Sequence, residues 1–144
     1  MNTLKSLRLT SNETPANNGA LGVIDLAVLA GLRELQQPGE SDFVSDLIVL
    51  FLDESRSQLK VLRRAIADNN VSEVRRIAHL LKGSSAGIGA TRMATLYQEL
   101  ETKEPGFQVG GSYDQTIMVS LENEFQQLSV VLRIQQREFE EVTE

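Results

Sequence analysis

The chain contains one histidine, His79, and no cysteine. Together these facts narrow the available chemistry. Thiolate nucleophiles, thiolate metal ligands and disulfides are excluded, a zinc site would need further imidazoles, and a catalytic triad would need a second group to orient the ring. An imidazole with an ordinary pKa of about 6.5 is largely neutral near pH 7 and can itself act as a nucleophile. The neighbours of His79 suit that role. Arg75 and Arg76 lie one turn before it, Lys82 and Gly83 one turn after, and Ala86 a turn beyond those. The Lys82 ammonium can lie beside a negative group carried on the ring and offset its charge. Gly83 costs a helix about 1 kcal/mol relative to alanine and so needs a reason. Small residues at Gly83 and Ala86 would leave the imidazole clear for the backbone of a partner.

This arrangement requires a helix to hold it. Asn70 and Glu73 have the spacing of a capping box, and Gly87-Ile88-Gly89 is a stop, so the pattern predicts a helix over Val71–Ile88. On a wheel of about 100° per residue with His79 at zero, Val74, Ile77, Leu81 and Ile88 fall within roughly 40° of the opposite direction. Arg75, Arg76, Lys82 and Gly83 lie about 40–60° to either side of the histidine. His79 therefore faces away from the core stripe, while Ser84 and Ser85 turn toward the flanks and the core side.

The remaining helices follow from the same periodicity. Residues 1–20 read as a flexible leader and 21–144 as one helical domain. A short helix runs from Ile24 or Asp25 to Leu35, with Asp25 as its N-cap, and Gln36-Gln37-Pro38-Gly39 breaks the chain. A long helix is expected over Ser41–Asp68, with Leu47, Phe51, Ser55, Leu59, Leu62 and Ile66 as its buried stripe. Thr91 is the expected N-cap of a fourth helix whose apolar face is Met93, Leu96, Tyr97 and Leu100. Pro105-Gly106 and Gly110-Gly111 bracket a loop, and Ser112 with Gln115 forms a second capping-box pattern. The last helix carries Ile117, Leu121, Phe125, Leu128, Leu132 and Phe139. The fold class is all-α: an antiparallel four-helix bundle with a short additional N-terminal helix.

Composition removes other classes. With 144 residues, a net charge of −6, no tryptophan and 5% aromatics, nucleic acid is not an expected partner. No apolar stretch approaches the roughly 20 residues of a membrane span, and the first twenty residues lack the apolar core of a secretory signal. The profile is cytoplasmic, and the bundle is expected to be a monomer.

The run His79-Leu80-Leu81-Lys82-Gly83-Ser84-Ser85-Ala86-Gly87-Ile88-Gly89-Ala90 closely resembles the phosphorylation motif of histidine phosphotransfer (HPt) domains, and the helical layout from Ile24 to Phe139 is similar as well. The resemblance implies a phosphoryl carrier in a two-component phosphorelay. His79 would accept the phosphoryl group, Lys82 would stabilise it, and Gly83 with Ala86 would give a partner access. A polar residue of the next helix that orients the ring would be Glu101, with Gln98 one turn earlier as the other candidate. The implied partners are response-regulator receiver domains, whose phosphorylated aspartate exchanges with the imidazole, and an upstream hybrid sensor histidine kinase. Arg75, Arg76 and Lys82 would complement the acidic pocket of the receiver. The magnesium of that reaction belongs to the receiver, and no cofactor is expected on this chain.

Three other readings compete. Autokinase activity would need a nucleotide site, but no GxxxxGK occurs and the Gly83–Gly89 run lacks the GxGxxG spacing, so no ATP chemistry is expected. A non-catalytic helical adaptor would have no need of Lys82-Gly83 beside the histidine. An HPt-like substrate domain of a chemotaxis-type kinase differs only in its phosphoryl donor, and the sequence leaves that choice open.

Overall fold

A computed structural model describes residues 22–37, 39, 42–103, 113 and 115–143. The leader 1–20, the bracketing glycine pairs of the loop, Ser112 of the second capping box and the Phe139 side chain lie outside the described residues. Five helices account for nearly all of the rest: α1 Leu26–Arg33, α2 Phe43–Ala67, α3 Val71–Ile88, α4 Thr91–Thr102 and α5 Thr116–Thr143. Among the described residues there are no strands, and no helix is long and apolar enough to cross a membrane.

The four longer helices form an antiparallel ring in which α2 packs on α3, α3 on α4, α4 on α5 and α5 back on α2. Short connections from α2 to α3 and from α3 to α4 enforce the alternation there. Both of the tight corners use the same device. At the end of α2, Asn69 takes a left-handed conformation (φ 58°), its N–H bonds the Ile66 carbonyl at 3.1 Å, and the Asn70 N–H bonds the Ala65 carbonyl at 2.9 Å. At the end of α3, Gly89 (φ 88°) and Ala90 close onto the Ala86 and Ser85 carbonyls in the same way. These closures satisfy the last carbonyls of each helix and turn the chain back.

The helix starts agree with their sequence signals in part. Asp25 caps α1, its carboxylate accepting the Ala27 N–H at 3.0 Å. Asp42 caps α2 through the Ser45 N–H, so this helix begins at Phe43 rather than Ser41. Asn70 accepts the Glu73 N–H at 3.2 Å, which is one half of a capping box. The other half is missing because the Asn70 N–H already closes the end of α2, and the Glu73 carboxylate turns to Arg76 instead. Thr91 is not the N-cap of α4. Ala90 holds that position without a side-chain hydrogen bond, and the Thr91 hydroxyl donates to the Gly22 carbonyl at 3.0 Å. α1 ends at Arg33, two residues early, and leaves Leu35 exposed.

The core lies along the ring axis. Leu62, Ile77, Leu81, Tyr97, Leu100, Leu121, Leu128 and Leu132 are fully buried. Each such side chain contributes on the order of 1.5–3 kcal/mol relative to exposure. The expected stripe of α2 is too narrow: Leu47 is only partly buried, whereas Val44, Ile48 and Leu52 are buried. The reason is that α2 contacts α1 as well as α3 and α5, so two lines of its surface are covered. α1 seals that end of the ring, with the Asp25 N–H on the Gly89 carbonyl at 2.7 Å and Arg33 Nη2 on the Gln135 carbonyl at 3.1 Å. Glu124 is a carboxylate on the buried side of α5, and Arg92 of α4 pairs with it at 2.7 and 3.1 Å.

Candidate functional site

α3 presents His79 as the wheel predicts. Val74, Ile77, Ala78 and Leu81 are fully buried beneath it, while its own side chain is 70% exposed. α4 runs antiparallel beside α3 and brings two polar side chains to the same surface. Glu101 sets Oε2 at 2.7 Å from His79 Nδ1 and Oε1 at 2.7 Å from Lys82 Nζ. Gln98, one turn earlier on α4, accepts a hydrogen bond from Lys82 Nζ at 2.9 Å. Of the two residues considered for orienting the ring, Glu101 therefore touches the imidazole, and Gln98 holds the lysine.

This geometry sets the protonation pattern of the ring. A carboxylate accepts only, so in the neutral imidazole Nδ1 carries the proton and donates it to Glu101. The lone pair then sits on Nε2, which has no hydrogen bond among the described residues. Lys82 holds the Glu101 carboxyl below the usual carboxylate range, the hydrogen bond to His79 adds to this, and partial desolvation opposes both. A carboxyl depressed in the folded state stabilises the fold above the ordinary carboxylate pKa and loses that contribution as the pH falls through its lowered value. Removing the ammonium should shift this transition. In Lys82→Ala the Glu101 carboxyl titrates at higher pH than in the wild type, as a pH series of side-chain carboxyl NMR shifts would show. An unchanged titration would mean that Lys82 does not govern the carboxylate.

The basic surround is more compensated than its sequence suggests. Arg76 makes two contacts to Glu73, at 2.7 and 3.0 Å, which hold the Glu73 carboxyl low. Lys82 shares its charge with Glu101, and Arg75 is partly buried on the flank. Gly83 meets no atom within 4 Å where a Cβ would stand, and Ala86 is exposed, so neither packs against a neighbouring helix. Ser85 is fully buried and Ser84 is exposed, its hydroxyl donating to the Leu81 carbonyl at 3.3 Å. One feature beside the histidine had no reading in the sequence. Between α2 and α3 lies an apolar cleft of about 470 Å³ lined by Leu47, Leu50, Phe51, Leu80, Ser84 and Gly87. Leu50 and Leu80 are 64% and 44% exposed there. The continuous apolar run Leu47–Leu52 carried a signal of this, because one helix cannot bury every side of itself against three neighbours.

The family model described as Hpt domain matches residues 46–130, more than half of the sequence. Histidine-containing phosphotransfer protein 2 of Arabidopsis thaliana is 37% identical over 68 residues, which is 45% of this chain and 44% of that protein. Phosphorelay intermediate protein YPD1 of Saccharomyces cerevisiae is 32% identical over 63 residues, 43% of this chain and 38% of that protein. The chain thus spans less than half the length of these curated relatives. Among solved structures, histidine-containing phosphotransfer protein B from Pseudomonas aeruginosa PAO1 shares the fold with a TM-score of 0.69 at 24% identity, covering 81% of this chain and 96% of that one.

Proposed function

The chain belongs to the Hpt domain family, and from that premise we propose that it is a phosphoryl carrier which accepts and returns a phosphoryl group at His79 Nε2 in exchange with the aspartate of a receiver domain. The observation that carries this reading is the exposed imidazole whose Nδ1 is engaged by Glu101 and whose Nε2 is open.

The chemistry follows from that ring. Nε2 attacks the phosphorus of an aspartyl phosphate, the N–P bond forms as the P–O bond to the aspartate breaks, and the aspartate leaves as a carboxylate. The ring keeps its Nδ1 proton, so it becomes a cationic phosphoimidazolium, and the Glu101 carboxylate offsets the new charge. The same proton makes the ring a good leaving group in the return step. Lys82, 2.7 Å from Glu101, stands one turn from the ring and can move its ammonium to the phosphoryl oxygens. Arg75 and Arg76 favour encounter with the acidic, magnesium-holding pocket of a receiver. The apolar cleft at Leu50 and Leu80 gives that domain an apolar footing beside the reactive ring. The phosphoryl group reaches the receiver from an upstream hybrid sensor histidine kinase, and this chain uses no ATP of its own.

The test is transfer from a panel of phosphorylated receiver domains, with the product examined for stability. Acid-labile, alkali-stable label on the folded chain is the expected result. No label from any receiver of the same genome would remove the carrier reading. Gly83 provides a second check. Gly83→Leu adds a side chain where no neighbour stands, so the helix gains stability by up to about 1 kcal/mol. It also obstructs close approach to the ring, and transfer should slow by about 10²-fold. A more stable variant with unchanged transfer would show that the glycine is not there for access.

A further inference from the structure

Across the bundle from His79, α2 and α5 enclose a second cleft that the phosphotransfer reading does not use. It is open, about 630 Å³ in volume, and differs in character from the apolar cleft beside the histidine. Leu59 and Phe125 form its floor, and Val130 projects from one wall with 60% exposure. Ser129 turns its hydroxyl back to the Phe125 carbonyl at 2.9 Å, so nothing polar projects from that position. The opposite rim is cationic.

That charge is concentrated on a short stretch of α2. Every basic residue of α2 lies between Arg56 and Arg64, and no acidic residue falls among them, in a chain whose net charge is −6. Arg56 with Lys60, Lys60 with Arg63 and Lys60 with Arg64 are like charges three or four residues apart, a spacing that works against helix stability. Arg64 points away and pairs with Asp68 at 3.0 Å. The other three line the cleft. The Arg56 guanidinium stands 5.7 Å from the centre of the Phe125 ring and pairs with Asp53 at 3.4 Å, and Arg63 pairs with Glu122 across the cleft. Lys60, between them, has no ion pair or hydrogen bond among the described residues.

We propose that the α2/α5 cleft is a docking site for an acidic amphipathic helix of a partner protein. A furrow between two antiparallel helices takes a third helix, whose apolar stripe would lie on Leu59, Phe125 and Val130. Carboxylates three and four residues apart on that helix would meet cations with the same repeat on α2. A small anion would leave the apolar floor unused. The cleft lies between the pair of helices opposite α3 and α4, so an occupant leaves His79 and Glu101 open. The proposal does not depend on the chemistry of His79.

The probe is a synthetic peptide of about four helical turns, with leucines on one stripe and glutamates flanking it at i,i+4, titrated into the ¹⁵N-labelled full chain. A matched peptide has lysines in place of the glutamates. The expected result is amide shifts at Lys60, Arg63, Gln126, Ser129 and Val130 but not at His79 or Glu101, with the acidic peptide only and weakened by salt. Lys60→Glu should lower the affinity by roughly tenfold or more. Val130→Glu should also weaken binding, and both positions are exposed, so the variants stay folded. Phosphotransfer should be unchanged in both variants. No response in the cleft up to millimolar peptide, equal binding of the basic peptide, or shifts centred on α3 and α4 would each overturn the proposal. So would sedimentation showing that a second copy of the chain covers the cleft in the free protein.

Discussion

A His79→Gln chain is expected to take up no phosphoryl group from any receiver that labels the wild type, while remaining the same folded protein. The amide nitrogen of glutamine is not a nucleophile, and the described residues contain no other imidazole and no thiol to replace it. The loss should be complete rather than partial. Stability should hardly move, because His79 is 70% exposed and its contact is with Glu101 at the surface. Substitutions of that kind stay within about 0.5 kcal/mol. Transfer assays and thermal unfolding by circular dichroism, run on the same preparation, separate the two effects. Label retained by the variant would place the acceptor elsewhere. A collapsed helical signal would mean that the ring supports the fold, contrary to its exposure.

Gly89→Val should have the opposite profile, with a large effect on the fold and only an indirect one on the chemistry. Gly89 closes α3 at φ 88°, where a side chain costs about 1–2 kcal/mol. A Cβ there would also meet the Asp25 carbonyl oxygen at 2.8 Å and Val28 Cβ at 3.0 Å, where α1 docks on the corner. Overpacking against backbone adds about 1–3 kcal/mol. The sum of roughly 2–5 kcal/mol is a large part of the stability of a domain of this size, and the melting temperature should fall by about 10 °C or more. Asn69 offers the comparison, since it closes α2 in the same conformation with a side chain in place. Gly89→Asn therefore separates the two costs. If conformation alone mattered, asparagine would be well tolerated; with the clash at Asp25 it should remain clearly destabilising. A wild-type melting temperature for Gly89→Val would show that α1 does not dock as tightly as the geometry requires.

The direction of His79 was legible in the residues because Val74, Ile77, Leu81 and Ile88 of α3 fall on one stripe opposite it, and each of the four is buried. The α2 stripe was read less well, since Leu47–Leu52 is apolar throughout and periodicity cannot say which side meets which neighbour. The partners of α3 across the gap were harder still. Glu101 and Gln98 are a turn apart on α4, and which one reaches the imidazole depends on the register of two helices and on rotamers, neither of which is written in local spacing. Glu73 shows how two local signals compete. Its position fits a capping box, yet the N–H that it would have bonded is already used by the preceding turn, so Arg76 captures the carboxylate. Thr91 lost its capping role in a similar way, to a carbonyl far away in sequence at Gly22. The α2/α5 cleft needed the ring order of the helices, which no helical wheel contains.

The two-residue corner at Gly89-Ala90 has a kinetic consequence. It places His79 and Glu101 only 22 residues apart, on consecutive helices of one hairpin. Closing so short a loop costs little chain entropy, and contacts of low sequence separation are the ones that form fast. The surface around His79 should therefore assemble with the α3/α4 hairpin, before α5 returns to complete the ring. A nascent or transiently opened chain would then already hold His79 against Glu101, and late steps of folding would decide how long the bundle lasts rather than whether this contact exists.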